Sequence, residues 1–250
     1  MLKEYLKSLA NKFREILGTT DKINAQDFSN KVTEVYKTGK KSEYDKFWDN
    51  FQANGTRELY MYALQGYGFN SNNFYPKYDL KPLRDATRMF YNFSYGDKFS
   101  LKERLKECGV KLDTSGVTIP YLMFSSAKMF TELPIIDLSG ADTSRASNTH
   151  FIFRYMPYVH TIEKIIVKEG ITYDGWFLED YKLENITFEG VIGQDISFAD
   201  SPLLTRESLE NIIIHLKDFA GTNTTRTLTI CAESKAKLNE DGGIFMGIAT

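Results

Sequence analysis

Cysteine, histidine and net charge are all scarce in this 250-residue chain, and each scarcity excludes something. Its two cysteines, Cys108 and Cys231, are too far apart for a disulfide framework or a zinc site built on close pairs, so they read as buried apolar thiols. Three histidines, His150, His160 and His215, have no metal-ligand spacing, and no HExxH occurs. With 31 Lys and Arg against 33 Asp and Glu, the formal charge is −2 and the two signs are intermixed, which leaves no basic face for nucleic acid. No apolar run approaches the roughly 18 residues that cross a bilayer. Lys3, Glu4, Lys7 and Lys12 interrupt the N-terminus where a signal peptide has its apolar centre. The expectation is therefore no nucleic-acid partner, no membrane insertion, no metal and no cofactor.

Aromatic residues, in contrast, are abundant: 14% of the chain, with 15 Tyr and 18 Phe. Some of them recur in a pattern. Phe124, Ala127, Phe130, Leu133, Ile136 and Leu138 form one series; Phe153, Met156, Val159, Ile162, Ile165 and Val167 form a second; Phe177, Asp180, Leu183, Ile186 and Phe188 form a third. Each advances in steps of three, ends in a step of two, and is followed by Gly140, Gly170 or Gly190. A strand needs steps of two and a helix steps of three and four, so neither describes a whole series. Self-similarity at a period of roughly 20–30 residues marks stacked repeats, because one repeat cannot bury its apolar face alone. The pattern predicts strands at 135–138, 164–167, 185–188 and 227–230, the first three adjacent, parallel and in order. It also predicts Leu183 and Ile162 buried at equivalent positions of successive repeats.

The remaining chain reads as helix at both ends. Leu2, Tyr5, Leu6, Leu9, Phe13, Ile16 and Leu17 share a helical face, with Leu2, Leu9 and Ile16 seven apart as a candidate assembly face. Asn24 with Asp27 and Ser42 with Asp45 are capping pairs for two further helices. Near the C-terminus Thr205 caps a stripe of Leu209, Ile212, Ile213, Leu216 and Phe219 that is predicted to run to Gly221. The fold class expected is α+β, in three parts. A helical region spans 1–56, an aromatic irregular connecting region 57–94, and a leucine-rich-repeat-like solenoid with a parallel sheet and a C-terminal helix–strand cap 95–250.

The template Phe-x-x-small-x-x-Leu-x-x-Ile resembles the bacterial BspA-like leucine-rich repeat, although Asp180 stands where that family often has Cys. "GTTDKINAQDFSNKVTEV" is similar to a module of phage and prophage tail-associated structural proteins. "SEYDKFWDNFQANGTRELYMYALQGYGFNSNNFYPKYDLKP" and "FADSPLLTRESLENIIIHLKDFAGTNTTRTLTICAESKAKL" resemble segments that flank the repeats in those proteins. The resemblance implies a non-enzymatic virion protein assembled in the host cytoplasm. Its N-terminal helices would join other virion proteins or a second copy, and its repeats would bind a host cell-surface protein or glycan. A bacterial surface adhesin is the alternative, but an adhesin needs an export signal.

Chemistry is harder to find. "GKKS" at 39–42 has Glu34 where a P-loop needs its first glycine. Glu179 with Asp180, and Asp137 with Asp142, are the carboxylate pairs that a glycan-cleaving enzyme would need, or else solvated loop groups. Two stretches are candidates for binding. The loop 139–150 carries Arg145, Asn148 and His150, and is either a working surface or a polar excursion. The stretch 66–78 sets Tyr67, Phe69, Phe74 and Tyr75 among asparagines, which suits a sugar or a compact subdomain packed on the helices.

Overall fold

The computed structural model describes residues 10, 11, 14, 69–82 and 84–239. Tyr67 and the assembly face of Leu2, Leu9 and Ile16 lie outside the described residues, as do the N-terminal helix assignments apart from three helical positions at 10, 11 and 14. The chain divides into two compact units, Met1–Ala53 and Asn54–Thr250. The described part of the second unit is α+β. Strands β1 (Phe99–Ser100), β2 (Phe130–Asp137), β3 (Thr161–Val167) and β4 (Asn185–Gly190) form one parallel sheet in that order, and β5 (Ile196–Phe198) pairs in parallel with β6 (Leu228–Ile230). Helices α1 (Leu101–Cys108), α2 (Arg206–Ile214) and α3 (Ala232–Asn239) complete it. The strand expected at 227–230 thus exists, but in the separate two-stranded ribbon. No helix among the described residues is long and apolar enough to cross a membrane.

The mixed spacing has a geometric cause. β2 and β3 run in register, Leu133 opposite Ile162 and Ile136 opposite Ile165, so both strands step inward by three. β4 places Ile186 opposite Ile162 and Phe188 opposite Ile165, so one residue of β4 faces two of β3. The extra residue is a bulge, and it turns the alternation of a plain strand into a step of three. All six of these side chains are buried. The register corrects one expectation: the counterpart of Ile162 is Ile186. Leu183 instead matches Val159, since their amides close equivalent turns onto Asp180 and Met156.

Between strands the chain builds a second ladder out of turns. Arg88, Phe90 and Asn92 donate their amides to the carbonyls of Tyr121, Met123 and Ser125; Leu122, Phe124 and Ser126 donate to His150, Ile152 and Arg154; Phe151 and Tyr155 donate to Asp174 and Leu178. Arg88, Asn92, Leu122, Ser126, Phe151, Tyr155, Phe177 and Glu179 all have positive φ, an arrangement costly for non-glycine residues and sustained only by such ladder bonds. Inside the ladder five phenylalanines stack in a column. Phe90–Phe124, Phe124–Phe153, Phe153–Phe177 and Phe177–Phe198 have ring centroids 5.1, 5.7, 5.7 and 4.5 Å apart, with interplanar angles of at most 16°. The tight end of β4 requires glycine: Gly190 has φ +97°, and a Cβ there would lie 1.9 Å from the Val167 carbonyl oxygen.

The column starts in the stretch set aside as an irregular connector. Leu80 bridges Leu112 and Asp85 bridges Ile119, both in parallel, while Phe74 packs on Phe90, Phe93 and Phe99. Residues 69–94, where described, therefore belong to the same core as the repeats. At the other end α2 closes the sheet. Its Asn211 side chain accepts the Phe188 amide at 2.6 Å, and Ser208 Oγ accepts the Ile186 amide at 3.0 Å, which covers the edge of β4. Thr205 caps α2 as expected, by accepting the Ser208 amide. The helix ends at Ile214, well short of Gly221, because the chain then pairs with Ile192: the Ile192 amide donates to the His215 carbonyl and the Lys217 amide to the Ile192 carbonyl. Leu216 and Phe219 are consequently only half-buried, and the two free cysteines are half-buried rather than fully buried.

Candidate functional site

The loop after β2 is built by short polar side chains. Asp137 accepts the Ser139 amide at 2.8 Å and Asp142 the Ser144 amide at 2.9 Å, so each carboxylate closes a turn. The Ser144 amide and side chain hold the Asp142 carboxyl below the usual carboxylate range. A short 3-10 helix, Ala146–Thr149, follows and presses the loop onto the next one. Thr149 Oγ1 donates to the Thr172 carbonyl at 2.8 Å, Thr172 Oγ1 donates to the Ala146 carbonyl at 2.9 Å, and Trp176 Nε1 donates to the Thr149 carbonyl at 2.5 Å.

This placement separates the three candidate residues of the loop. Arg145 is exposed. Asn148 is buried and donates through Nδ2 to the carbonyl oxygen and Oδ2 of Asp142 at 3.0 and 3.3 Å, so it holds the loop together and presents nothing outward. His150 faces away from both, with Nδ1 3.3 Å from Asp174 Oδ2. The aromatic candidates divide similarly. Phe69 and Phe74 are buried, in edge-on contact, and are core residues; burial of large apolar surface outweighs any surface role. Tyr75 is 47% exposed and carries the Arg104 guanidinium 4.1 Å from its ring centroid, while the same Arg104 donates to the carbonyls of Ser71 and Phe74.

Neither carboxylate pair named from the sequence is presented as an acid–base pair. Asp180 is 1% exposed and accepts the Met156 amide at 2.6 Å. Burial, with Asp200 and Glu179 nearby, pushes its carboxyl well above the ordinary Asp range against the opposing Met156 hydrogen bond. Asp137 and Asp142 are turn formers. Among the described residues no group of three or more His, Cys, Asp or Glu side chains is placed to hold a metal ion.

What the fold does assemble is a cleft of about 360 Å³ where three loops meet: the 172–175 turn, the 194–197 segment entering β5, and the 227–229 segment entering β6. The loop 139–150 braces its first wall through Thr149–Thr172 and His150–Asp174. Asp195 joins the other two walls by accepting the Thr227 amide at 2.7 Å. Tyr173, 4% exposed and edge-on to Trp176 at 4.8 Å, also lines the cleft. Its hydroxyl has no hydrogen-bond partner, and burial raises its pKa. Sequence reasoning did not single out Asp174, Gln194, Asp195, Ser197 or Thr229. They carry no motif, and only the parallel pairing of β5 with β6, some thirty residues apart, brings them together.

Comparison with protein-family models, curated proteins and solved structures returned no match for this chain.

Proposed function

We propose that the tiers from residue 84 to 239 are a short leucine-rich-repeat-like solenoid with a C-terminal helix–strand cap, carried by a non-enzymatic phage virion protein. The protein is tail- or surface-associated, is assembled in the host cytoplasm, and uses the solenoid to bind a host cell-surface protein or glycan. The observation that carries the recognition reading is the division between a stiff scaffold and the loops it brings together. A column of five stacked phenylalanines and two hydrogen-bonded ladders hold the loops of successive tiers in line. Those loops converge on one polar cleft. Binding residues placed on loops over a rigid framework are how folds of this kind recognise partners. The virion assignment rests on the resemblance of 19–36 and of the segments flanking the repeats to phage tail-associated proteins. Attachment to other virion proteins, or to a second copy, is assigned to the N-terminal helices.

The test incubates the purified full chain with Gram-positive and gut bacterial cells and with isolated tail particles of phages that infect them. Retention on cells and on particles is expected. Retention on neither refutes the reading, and release of new reducing ends from cell-wall glycan replaces it with an enzymatic one.

A further inference from the structure

The cleft at 172–175, 194–197 and 227–229 has a chemistry that narrows what it takes, and this inference rests on the recognition reading above. At about 360 Å³ it lies at the small end of ligand sites, room for one or two small rings. Ligand pockets are ordinarily apolar with a few polar groups, whereas this lining is mainly hydroxyl, amide and carboxylate. No Lys or Arg lines it, while Asp174 and Asp195 do. An anion entering beside two carboxylates meets repulsion of about 1 kcal/mol or more per close charge, so phosphates and acidic sugars are disfavoured. A cation fares little better. Asp174 already faces His150, Asp195 already accepts the Thr227 amide, and no third acidic or histidine ligand joins them.

Unused hydrogen-bonding capacity remains. Among the described residues the side chains of Gln194 and Thr229 make no hydrogen bond, and Thr229 sits opposite Ser197 across the β5–β6 ribbon. The Tyr173 hydroxyl is buried and unpartnered. A buried polar group without a partner costs about 1–3 kcal/mol, and a wall residue that retains one fits a partner supplied from outside the chain.

We propose that this cleft binds a neutral sugar residue, with Gln194, Thr229 and the Tyr173 hydroxyl as its hydrogen-bonding groups and Asp174 and Asp195 as acceptors that reject acidic sugars. Without an open aromatic face to stack on, a single site binds weakly, with Kd in the roughly millimolar range. Several copies on one particle then supply avidity.

The experiment is saturation-transfer NMR on the intact chain with N-acetylglucosamine, galactose and rhamnose, and with glucuronate as the acidic probe. Expected is transfer to at least one neutral sugar and none to glucuronate. Gln194→Ala and Thr229→Val, both at the protein surface, are expected to lower the signal at least fivefold with an unchanged Tm. Tyr173→Phe, which breaks no internal hydrogen bond, also lowers it without loss of Tm. The proposal is overturned by no transfer to any of the three neutral sugars, by equal transfer to glucuronate, or by an unchanged signal in all three variants. Retention of the wild type on cells together with no sugar signal overturns the sugar assignment alone. Retention on neither cells nor tail particles overturns the recognition reading beneath it.

Discussion

Asp180→Asn is the substitution whose effect the structure specifies in most detail. Asp180 occupies the position that neighbouring tiers fill with Ala127 and Met156. One carboxylate oxygen accepts the Met156 amide and the other is buried without a partner. Desolvation dominates, and the folded-state pKa rises well above the ordinary Asp value. The folded protein therefore keeps a proton that the unfolded chain releases above about pH 4. For a carboxyl raised in this way the sign is reversed from the usual Asp case. Its contribution is fully present below the unfolded pKa and is lost as pH rises toward the folded one, by up to about 1.4 kcal/mol per pH unit. Asparagine copies the neutral acid and keeps the acceptor for Met156. In urea unfolding at about pH 4, 5.5 and 7, the variant should match the wild type within about 1 kcal/mol at the lowest pH and exceed it progressively above. Other titrating groups shift both proteins alike and cancel in the difference. A stability difference that does not change with pH refutes the claim that Asp180 is folded in its neutral form.

Core truncations test the column and the tiers. Phe153, buried between Phe124 and Phe177 with ring planes 8° and 1° from theirs, should lose about 3–5 kcal/mol on change to Ala, and Leu183→Ala about 2–5; a loss under about 1 kcal/mol by denaturant unfolding contradicts the packing. In the loop after β2, Asn148→Ala should cost about 1–3 kcal/mol because two bonds to Asp142 disappear, while exposed Arg145→Ala should stay within about 0.5. Equal effects in thermal unfolding would mean that the 3-10 turn does not hold the loop.

The tier architecture was legible because burial leaves a periodic trace. Phe124, Phe153 and Phe177 announce the column, and the glycines that follow the strands announce their ends. β2 begins at Phe130 rather than 135 because its bulged register buries every third residue, a spacing that sequence reasoning assigns to turns. The earliest tier was missed since Phe90 is followed by Phe93 and Gly96 instead of the small and aliphatic residues of the template. The overextended reading of α2 has a similar root. Leu216 and Phe219 continue the helical stripe, but hydrogen bonds to Ile192, far away in sequence, take the backbone first. The cleft left no trace at all. Its side chains are ordinary Asp, Gln, Ser and Thr in three separate loops, and proximity through the β5–β6 pairing alone makes them a site. Asn148 was misjudged because a polar residue in a polar loop gives no sign of burial.

The central claim is that the cleft end of a rigid stack is the recognition surface, and one comparison tests it most directly. The full chain and its Gln194→Arg/Thr229→Arg variant are measured for retention on the same panel of bacterial cells, with Tm recorded for both. Both positions are at the protein surface, so stability should change by no more than about 1 kcal/mol. The account expects the wild type to be retained and the variant, its cleft blocked, to fall to background at matched Tm. A variant retained as well as the wild type would contradict it.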